Sequence, residues 1–387
     1  MKKICIVTGT RSEYGLLKPL IKRIDNDIEL ELQLVVTGMH LSPEFGLTYK
    51  EILSDGFNIN EKVEILLSSD TSIGISKSMG LAMISFSEIF ERLKPDILIV
   101  LGDRYEIFSV SIAAMNFKIP IVHLHGGETT EGAIDEAIRH SISKMSYLHF
   151  TSSKEHMKRV IQLGESPERV YNVGPIVEDS LRELKLLTKK ELENEINFKF
   201  EKNIALFTFH PVTIERNTSE KQLKNILNAL SEFKDLKIIF TKANSDENGR
   251  IINNLIDEYA ELNKDKCAVF SSLGQLKYLS CMKYCDFVIG NSSSGIIEAP
   301  FFNKFTINIG DRQKGRSSKN TIINCSAQKE EIINAIKFVL NKKNRLLNVN
   351  NSFNDKQFIS DKIIRVIKDY LYNDRINLKK KFYDISF

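Results

Sequence analysis

Short runs of consecutive apolar, mostly β-branched residues alternate with longer segments whose apolar positions recur every three or four residues, almost from end to end of the chain. The runs Ile4–Val7, Leu32–Val36, Ile97–Leu101, Ile121–Leu124, Leu148–Thr151 and Val170–Val173 are apolar nearly throughout, as strands buried on both faces must be. The segments between them predict helices, among them Gly15–Ile24, Ile75–Leu93, Tyr105–Phe117, Ile134–Lys144 and Lys154–Leu163. This alternation predicts a parallel sheet with helices on both faces. Residues 176–202 break the pattern, being highly charged and helix-favouring without a strand, and mark a junction.

A second series follows, with strands predicted at Ile204–Phe209, Leu236–Thr241, Cys267–Phe270, Phe287–Ile289 and Phe305–Ile309. Helices over Gln222–Phe233, Ile251–Leu262 and Gln275–Tyr284 fall between them. Two further helices, Lys329–Lys342 and Asp361–Tyr372, close the chain, the last crossing back towards the first half. The predicted fold class is therefore α/β, with two Rossmann-like doubly wound domains facing a cleft. Residues 1–180 form the first, 181–365 the second, and 366–387 a helix end and tail. Ligands of such sheets bind outside the carboxyl ends of the strands, so polar residues just after strands carry the functional information.

Composition narrows the class. A length of 387 residues suits two domains, and 42% hydrophobic with 27% charged residues is that of a soluble globular protein. The net charge of +4 is mild and the lysines are scattered. Lys379–Lys381 is the only short basic run and reads as a solvated tail, so no nucleic-acid partner is expected. Five cysteines cannot all pair and sit in or beside apolar segments, which suits a reducing cytosol. Cys281 and Cys285 share a helix face without a second pair at zinc spacing and read as core thiols. The N-terminus lacks a signal peptide's apolar region, and no apolar run approaches the roughly 18 residues of a membrane span, so a cytoplasmic protein without a membrane partner is expected.

The most informative stretch is Phe287 to Arg316. A buried strand opens into a Gly/Ser loop, and a helix is predicted to begin at Gly295. Backbone N–H groups there, with the hydroxyls of Ser292, Ser293 and Ser294, can converge on a phosphate oxygen. Arg312, after the next strand, could clamp the same anion. The plainer reading is a capped helix beside a surface ion pair. Strand one ends in TGTRSEYG, where Arg11 could contact an anion or form a structural salt bridge. The strand Ile97–Leu101 ends in Gly102-Asp103-Arg104, a carboxylate that could act in proton transfer or merely cap a helix.

In residues 123–140, HLHGGETTEGAIDEAIRH, Gly126-Gly127 turn the chain and leave Glu128 near the sheet's end. Glu131, Asp135 and Glu136 follow, and crowded carboxylates raise proton affinities as acid–base catalysis requires. An ordinary acidic first turn, with Asp135 paired to Arg139 and Glu136 to His140, explains the helix part equally. His210 ends the strand Ile204–Phe209 and Asn244 follows the next one, where it could bind a base or ribose, although the SDENG beyond it is also plain turn chemistry. His123 and His125 could ligate a metal in principle, but no metal-binding motif accompanies them and none is expected.

Taken together, TGTRSEYG, VTGMH, VLGDRYEIFSV, HLHGGE with IRHSISKMS, FHPVT, FTKAN, GNSSSGIIEAP and INIGDRQKGR closely resemble the hydrolysing branch of the UDP-N-acetylglucosamine 2-epimerase family over nearly the whole chain. The resemblance implies a GT-B arrangement, no cofactor, and a UDP-sugar as the small-molecule partner. It implies elimination of UDP to a 2-acetamidoglucal and rehydration to N-acetylmannosamine. Asp103, Asp135 and Glu128 match catalytic carboxylates, and His210 matches an active-site residue near the diphosphate; one of the carboxylates or His210 would abstract the sugar C2 proton and another acid would assist hydration. Ser292, Ser293 and Arg312 match phosphate-binding positions and Glu298 a ribose-binding one. Arg11 and Arg104 look like diphosphate or sugar contacts, and Asn244 like a nucleotide contact. Relatives carry glutamate where this chain has His125, so Glu128 or His125 itself would take that duty. Relatives also suggest a homodimer or homotetramer.

The expected substrate is UDP-N-acetylglucosamine, serving sialic-acid-type sugars. The alternative is UDP-2,4-diacetamido-2,4,6-trideoxyglucose (UDP-N,N′-diacetylbacillosamine), on the way to legionaminic acid. A GT-B glycosyltransferase is a more distant alternative, and a non-catalytic sugar-nucleotide-binding regulator a third.

Overall fold

The computed structural model describes residues 1–201, 203–212, 218–316, 320–342 and 357–385. Thr213 of the FHPVT motif, Lys202 at the end of the junction and residues 386–387 of the tail lie outside them. The chain builds two parallel sheets. The first contains β1 (Lys2–Thr8), β2 (Leu30–Thr37), β3 (Glu61–Val63), β4 (Ile97–Leu101), β5 (Ile121–Leu124), β6 (Leu148–Thr151) and β7 (Val170–Asn172), in the order β3-β2-β1-β4-β5-β6-β7. The second contains β8 (Ile204–Thr208), β9 (Lys237–Thr241), β10 (Cys267–Phe270), β11 (Phe287–Gly290), β12 (Phe305–Ile309) and β13 (Ile322–Cys325), in the order β10-β9-β8-β11-β12-β13. In each sheet the order reverses beside the first strand, where β4 pairs with β1 and β11 with β8. Loops leaving neighbouring strands diverge at such a point and open a crevice, so β1, β4, β8 and β11 deliver the functional residues.

Continuous apolar strands make the cores. Ile4, Ile6, Ile97 and Ile99 are fully buried in the first sheet, as are Phe207, Phe240, Phe287 and Ile307 in the second. Each such side chain contributes roughly 1.5–3 kcal/mol relative to exposure. Strands β3 and β13 were not predicted. Both are short and at sheet edges, and Glu61, Lys62 and Asn324 interrupt their apolar pattern.

The first helix starts at Arg11, four residues before the predicted start, because Thr10 and Glu13 form a capping box. The junction is built of two helices. Val177–Glu183 docks on the first lobe, with Ser180 Oγ donating to Gly15 O at 3.0 Å. Lys189–Ile196 buries Leu192 and Ile196 in the second lobe. The last helix, Ile359–Tyr372, returns to the first lobe, where Asp179 accepts from the backbone N–H of Ile359 and Ser360 at 2.8 and 2.7 Å. Arg23 and Asp361 pair across the same seam at 2.8 Å.

Among the described residues one helix, Ser72–Leu93, is long and apolar enough to cross a membrane by length and composition, which corrects the expectation that no apolar segment approaches a span. Its inner face packs Ala82, Phe86, Ile89 and Phe90 into the first lobe's core.

Candidate active site

After β4 the chain turns through Gly102 and presents Asp103. His123, fully buried on β5, fixes that turn: its Nε2–H donates to Gly102 O at 2.7 Å while Nδ1 accepts from Ser143 Oγ at 3.0 Å. Asp103 is ion-paired with Arg139. The Arg139 side chain is buried and also donates to Glu128 O, Thr130 Oγ1 and Glu136 Oε2 at 3.0, 3.0 and 3.1 Å. Burial, then the cations Arg316, Arg312 and Arg159, push its pKa well down, so Asp103 and Glu136 supply needed countercharge. Arg139 thus turns to Asp103 and Glu136 rather than to Asp135. The expected pair of Glu136 and His140 forms, at 3.0 Å.

His125 adopts a left-handed backbone at φ +64°, rare for a residue with a Cβ. Gly127, at φ +79°, passes so close to the helix Lys154–Gln162 that a Cβ would lie 2.3 Å from His156 O. This tight turn folds Glu128 back beneath His125. His125 Nε2 accepts from Ile176 N at 3.3 Å, leaving Nδ1 to donate to Glu128 Oε1 at 3.3 Å. Glu128 also accepts from Ser152 Oγ at 3.0 Å and pairs with Arg316 of the second lobe at 3.2 Å. Burial opposes its ionisation, yet Arg316, His125 and His156 outweigh burial and hold the carboxyl below its ordinary range. With both ring nitrogens of His123 and His125 engaged, neither offers a ready lone pair to a metal. Among the described residues no group of three or more His, Cys, Asp or Glu is arranged to hold one.

Asp135 and Asp246 face each other across the lobes with opposite proton affinities. Burial, then Asp246, raises the Asp135 pKa against the pull of Arg312 and Arg104. Burial also opposes ionisation of Asp246, but Arg104, His210 and Arg312 prevail and lower its pKa. Carboxyls driven apart in this way can serve as acid and base at one pH. Arg104 joins them to the sheet: Nε donates to buried Glu106 at 2.7 Å, and Nη1 pairs with Asp246 at 3.3 Å.

In the second lobe the Gly/Ser loop is organised by fully buried Asn291. Its Oδ1 accepts from His210 N and its Nδ2 donates to His210 O, both at 2.7 Å. Its carbonyl accepts from Arg312 Nη1 at 3.2 Å and Gln313 Nε2 at 2.8 Å. Burial, then Arg312, pushes His210 down to about 3, which keeps the imidazole neutral. Its Nδ1 accepts from Asn244 N at 3.4 Å, which leaves Nε2–H as a donor. The helix after the loop spans only Ser293–Ile297, starting two residues earlier than expected, with Ser292 as N-cap. So short a helix has little macrodipole, and what the loop offers an anion is its hydroxyls, its N–H groups and Arg312 instead. Tyr278 Oη hydrogen-bonds Ser294 Oγ.

Arg11, His125, His210, Asn244, Ser292, Ser293, Glu298 and Arg312 line one cleft between the lobes. Asp103, Arg104, Glu128 and Asp135 do not line it. They sit beside it, tied in through Arg139, Arg312, Asp246 and Arg316. Arg11 forms no salt bridge among the described residues. Its Nη1 is buried without a hydrogen-bond partner, and burial lowers its pKa despite Glu51, Tyr278 and Glu298 nearby. Burial pushes Glu298 up to about 7, with Arg11 opposing.

Asp246, Asn291, Arg139 and Arg316 were not assigned site roles from the sequence. Asp246 lies in a stretch that reads as a turn, and Arg316 pairs with a residue 188 positions earlier in the chain (316 − 128). Asn291, Arg139 and Arg316 lie inside the motifs GNSSSGIIEAP, IRHSISKMS and INIGDRQKGR, which was the local signal available for them.

The sequence pattern of the family "UDP-N-acetylglucosamine 2-epimerase" matches residues 22–368. The "GDP/UDP-N,N'-diacetylbacillosamine 2-epimerase (hydrolyzing)" of Campylobacter jejuni subsp. jejuni serotype O:2 is 50% identical over 322 residues, covering 83% of this chain and 84% of that protein. The "Polysialic acid biosynthesis protein P7" of Escherichia coli is 39% identical over 389 residues, covering 100% of this chain and 98% of that protein. Among solved structures, the "S. aureus MnaA-UDP co-structure" superimposes with a TM-score of 0.77 at 20% identity, covering 100% of both chains, which shows the shared two-lobed fold.

Proposed function

The chain belongs to the UDP-N-acetylglucosamine 2-epimerase family, and from that premise we propose that it is a hydrolysing UDP-sugar 2-epimerase. The observation that carries this reading is Arg11: a buried guanidinium with an unpartnered nitrogen, in a cleft that also holds Arg312 and the Ser292–Ser293 loop, calls for an anion. In the proposed complex Arg11, Ser292, Ser293 and Arg312 hold the diphosphate. Glu298 accepts from ribose hydroxyls, Asn244 contacts the nucleotide, and His210 Nε2–H donates to a diphosphate oxygen.

The sugar then faces the acidic side of the first lobe. Asp103, oriented by Arg139, takes the proton from C2, the C2–H bonding pair forms the C1=C2 bond of a 2-acetamidoglucal, and the C1–O pair leaves with UDP. Asp135, whose surroundings favour the protonated form, delivers a proton to C2 on the opposite face as water adds at C1 and passes its spare proton back to the Asp135 carboxylate, while Asp103 releases its proton to solvent. The products are the manno-configured sugar and UDP. Glu128, held ionised between His125 and Arg316, clasps the two lobes.

For the substrate, the 50% identity to the diacetylbacillosamine enzyme supports UDP-N,N′-diacetylbacillosamine. UDP-N-acetylglucosamine is the second reading, supported by end-to-end similarity to the polysialic acid protein. Both keep the UDP and the 2-acetamido group, so the chemistry is the same. Purified protein given each UDP-sugar in D2O, without acceptor, should release UDP and a free manno sugar deuterated at C2, with the larger kcat/KM for the diacetamido substrate. Turnover only when an acceptor is added would support the glycosyltransferase reading.

A homo-oligomer is also proposed. On the helix Ser72–Leu93 an outward stripe runs through Ile73, Lys77, Gly80, Ile84, Glu88 and Glu91, with Ile84 64% exposed. A second copy packed antiparallel about a two-fold axis sets Ile84 into the open space beside Gly80 and Lys77 against Glu88.

A further inference from the structure

After the last helix the chain runs back across the first lobe and is pinned there at successive points. Tyr147 Oη donates to Arg375 O and accepts from Asn377 N, both at 3.0 Å, and Tyr383 N donates to Gly164 O at 2.9 Å. Gly164, at φ +86°, leaves room for the tail: a Cβ there would lie 2.3 Å from the Phe382 ring. Between these points Lys380 reaches inward. Its ammonium donates to Lys144 O and Ser146 O at 2.9 and 2.7 Å, and to both oxygens of Glu165 at 3.0 and 2.9 Å.

Glu165 is buried and is also met by Lys144 at 2.7 Å and His149 at 3.3 Å. Burial opposes its ionisation, but His149, Lys144 and Lys380 overcome this and hold the carboxyl at about 2. Lys144 and Ser146 lie at the carboxyl end of the helix Asp135–Met145, whose last carbonyls lack intrahelical partners and attract a cation. That helix carries Asp135 on its first turn and Arg139, the partner of Asp103, one turn on. The tail therefore grips one end of the helix that presents the acidic side chains at the other.

We propose that Lys380 is a positioning residue for the reaction: seated on Glu165, it caps the helix Asp135–Met145 and sets Asp135, and Arg139 against Asp103. The inference rests on the reading of Asp103 and Asp135 as the proton-transfer pair. Its test measures kcat, KM, the pH profile of kcat, UDP affinity by calorimetry and thermal unfolding for Lys380→Met, Lys380→Arg, Phe382→Ala and, as a control, Asp135→Asn. A shift of the order of an ångström in a catalytic group can cost about 100-fold. Lys380→Met should lower kcat by about tenfold or more and shift the pH profile, with UDP affinity within about twofold of wild type. Lys380→Arg should recover most of the rate, and Phe382→Ala should show the same signature as Lys380→Met in weaker form. An unchanged kcat in Lys380→Met and Phe382→Ala, or a parallel loss of kcat and UDP affinity, overturns the inference. If Lys380→Met does not fold, Phe382→Ala decides alone by the same criteria. If Asp135→Asn retains full turnover, the acid–base reading fails instead, which separates the two outcomes.

Discussion

Arg104, at the carboxyl end of β4, and Asp246, in the turn after β9, lie 3.3 Å apart and join the two lobes beside the cleft. Arg104 is anchored from behind by Glu106 at 2.7 Å, so its guanidinium is a fixed post on the first lobe against which the second rests. Removing one partner of a desolvated ion pair costs roughly 3–5 kcal/mol, because the other charge is left behind. Asp246→Asn should therefore lower kcat/KM by about 100-fold, and small-angle scattering should show a larger radius of gyration than wild type in the UDP-bound state. Unchanged kinetics would mean that closure does not use this pair.

Glu298 makes a pH prediction with a definite sign. Its folded pKa of about 7 lies above the roughly 4.3 of an unfolded glutamate, so the native state holds the proton more tightly. The stability from that difference is complete below about pH 4 and is lost as pH rises through 7. Glu298→Gln, which stays neutral throughout, should thus gain in melting temperature relative to wild type between pH 5 and pH 8. Thermal scans of both proteins without nucleotide check it, and a constant difference across that range would contradict it.

What could be read from the sequence, and what could not, follows from where each contact lies. Strands such as Ile97–Leu101 and Phe287–Gly290 are buried on both faces and announce themselves as apolar runs, whereas the edge strands Glu61–Val63 and Ile322–Cys325 keep polar positions and do not. Arg11, Ser292, Ser293 and Arg312 follow strand ends directly, and a strand end is visible in the pattern. Asp246 reads as a turn and Arg139 as the partner of a near neighbour on its own helix. Their actual partners, Arg104 and Asp103, are brought near by the packing of one lobe on the other and the pairing of β4 with β5, which sequence spacing does not encode.

The exposed stripe on Ser72–Leu93 should bury itself against a second copy. Ile84→Glu puts a charge at the centre of that contact and should shift the protein to a smaller assembly in analytical ultracentrifugation, with its fold intact. Lys77→Glu should weaken the assembly and the added Glu88→Lys restore it. An assembly insensitive to Ile84→Glu would place the interface elsewhere.

The central claim is a division of labour: the second lobe and Arg11 hold the nucleotide, and Asp103 moves the proton at C2. Asp103→Asn tests it most directly, with UDP affinity measured by calorimetry and solvent deuterium exchange at C2 followed by NMR on the same preparation. The account predicts UDP affinity within about threefold of wild type and a loss of C2 exchange of at least about 100-fold, the scale of a general base. Retained exchange, or nucleotide binding that disappears together with it, would contradict the account.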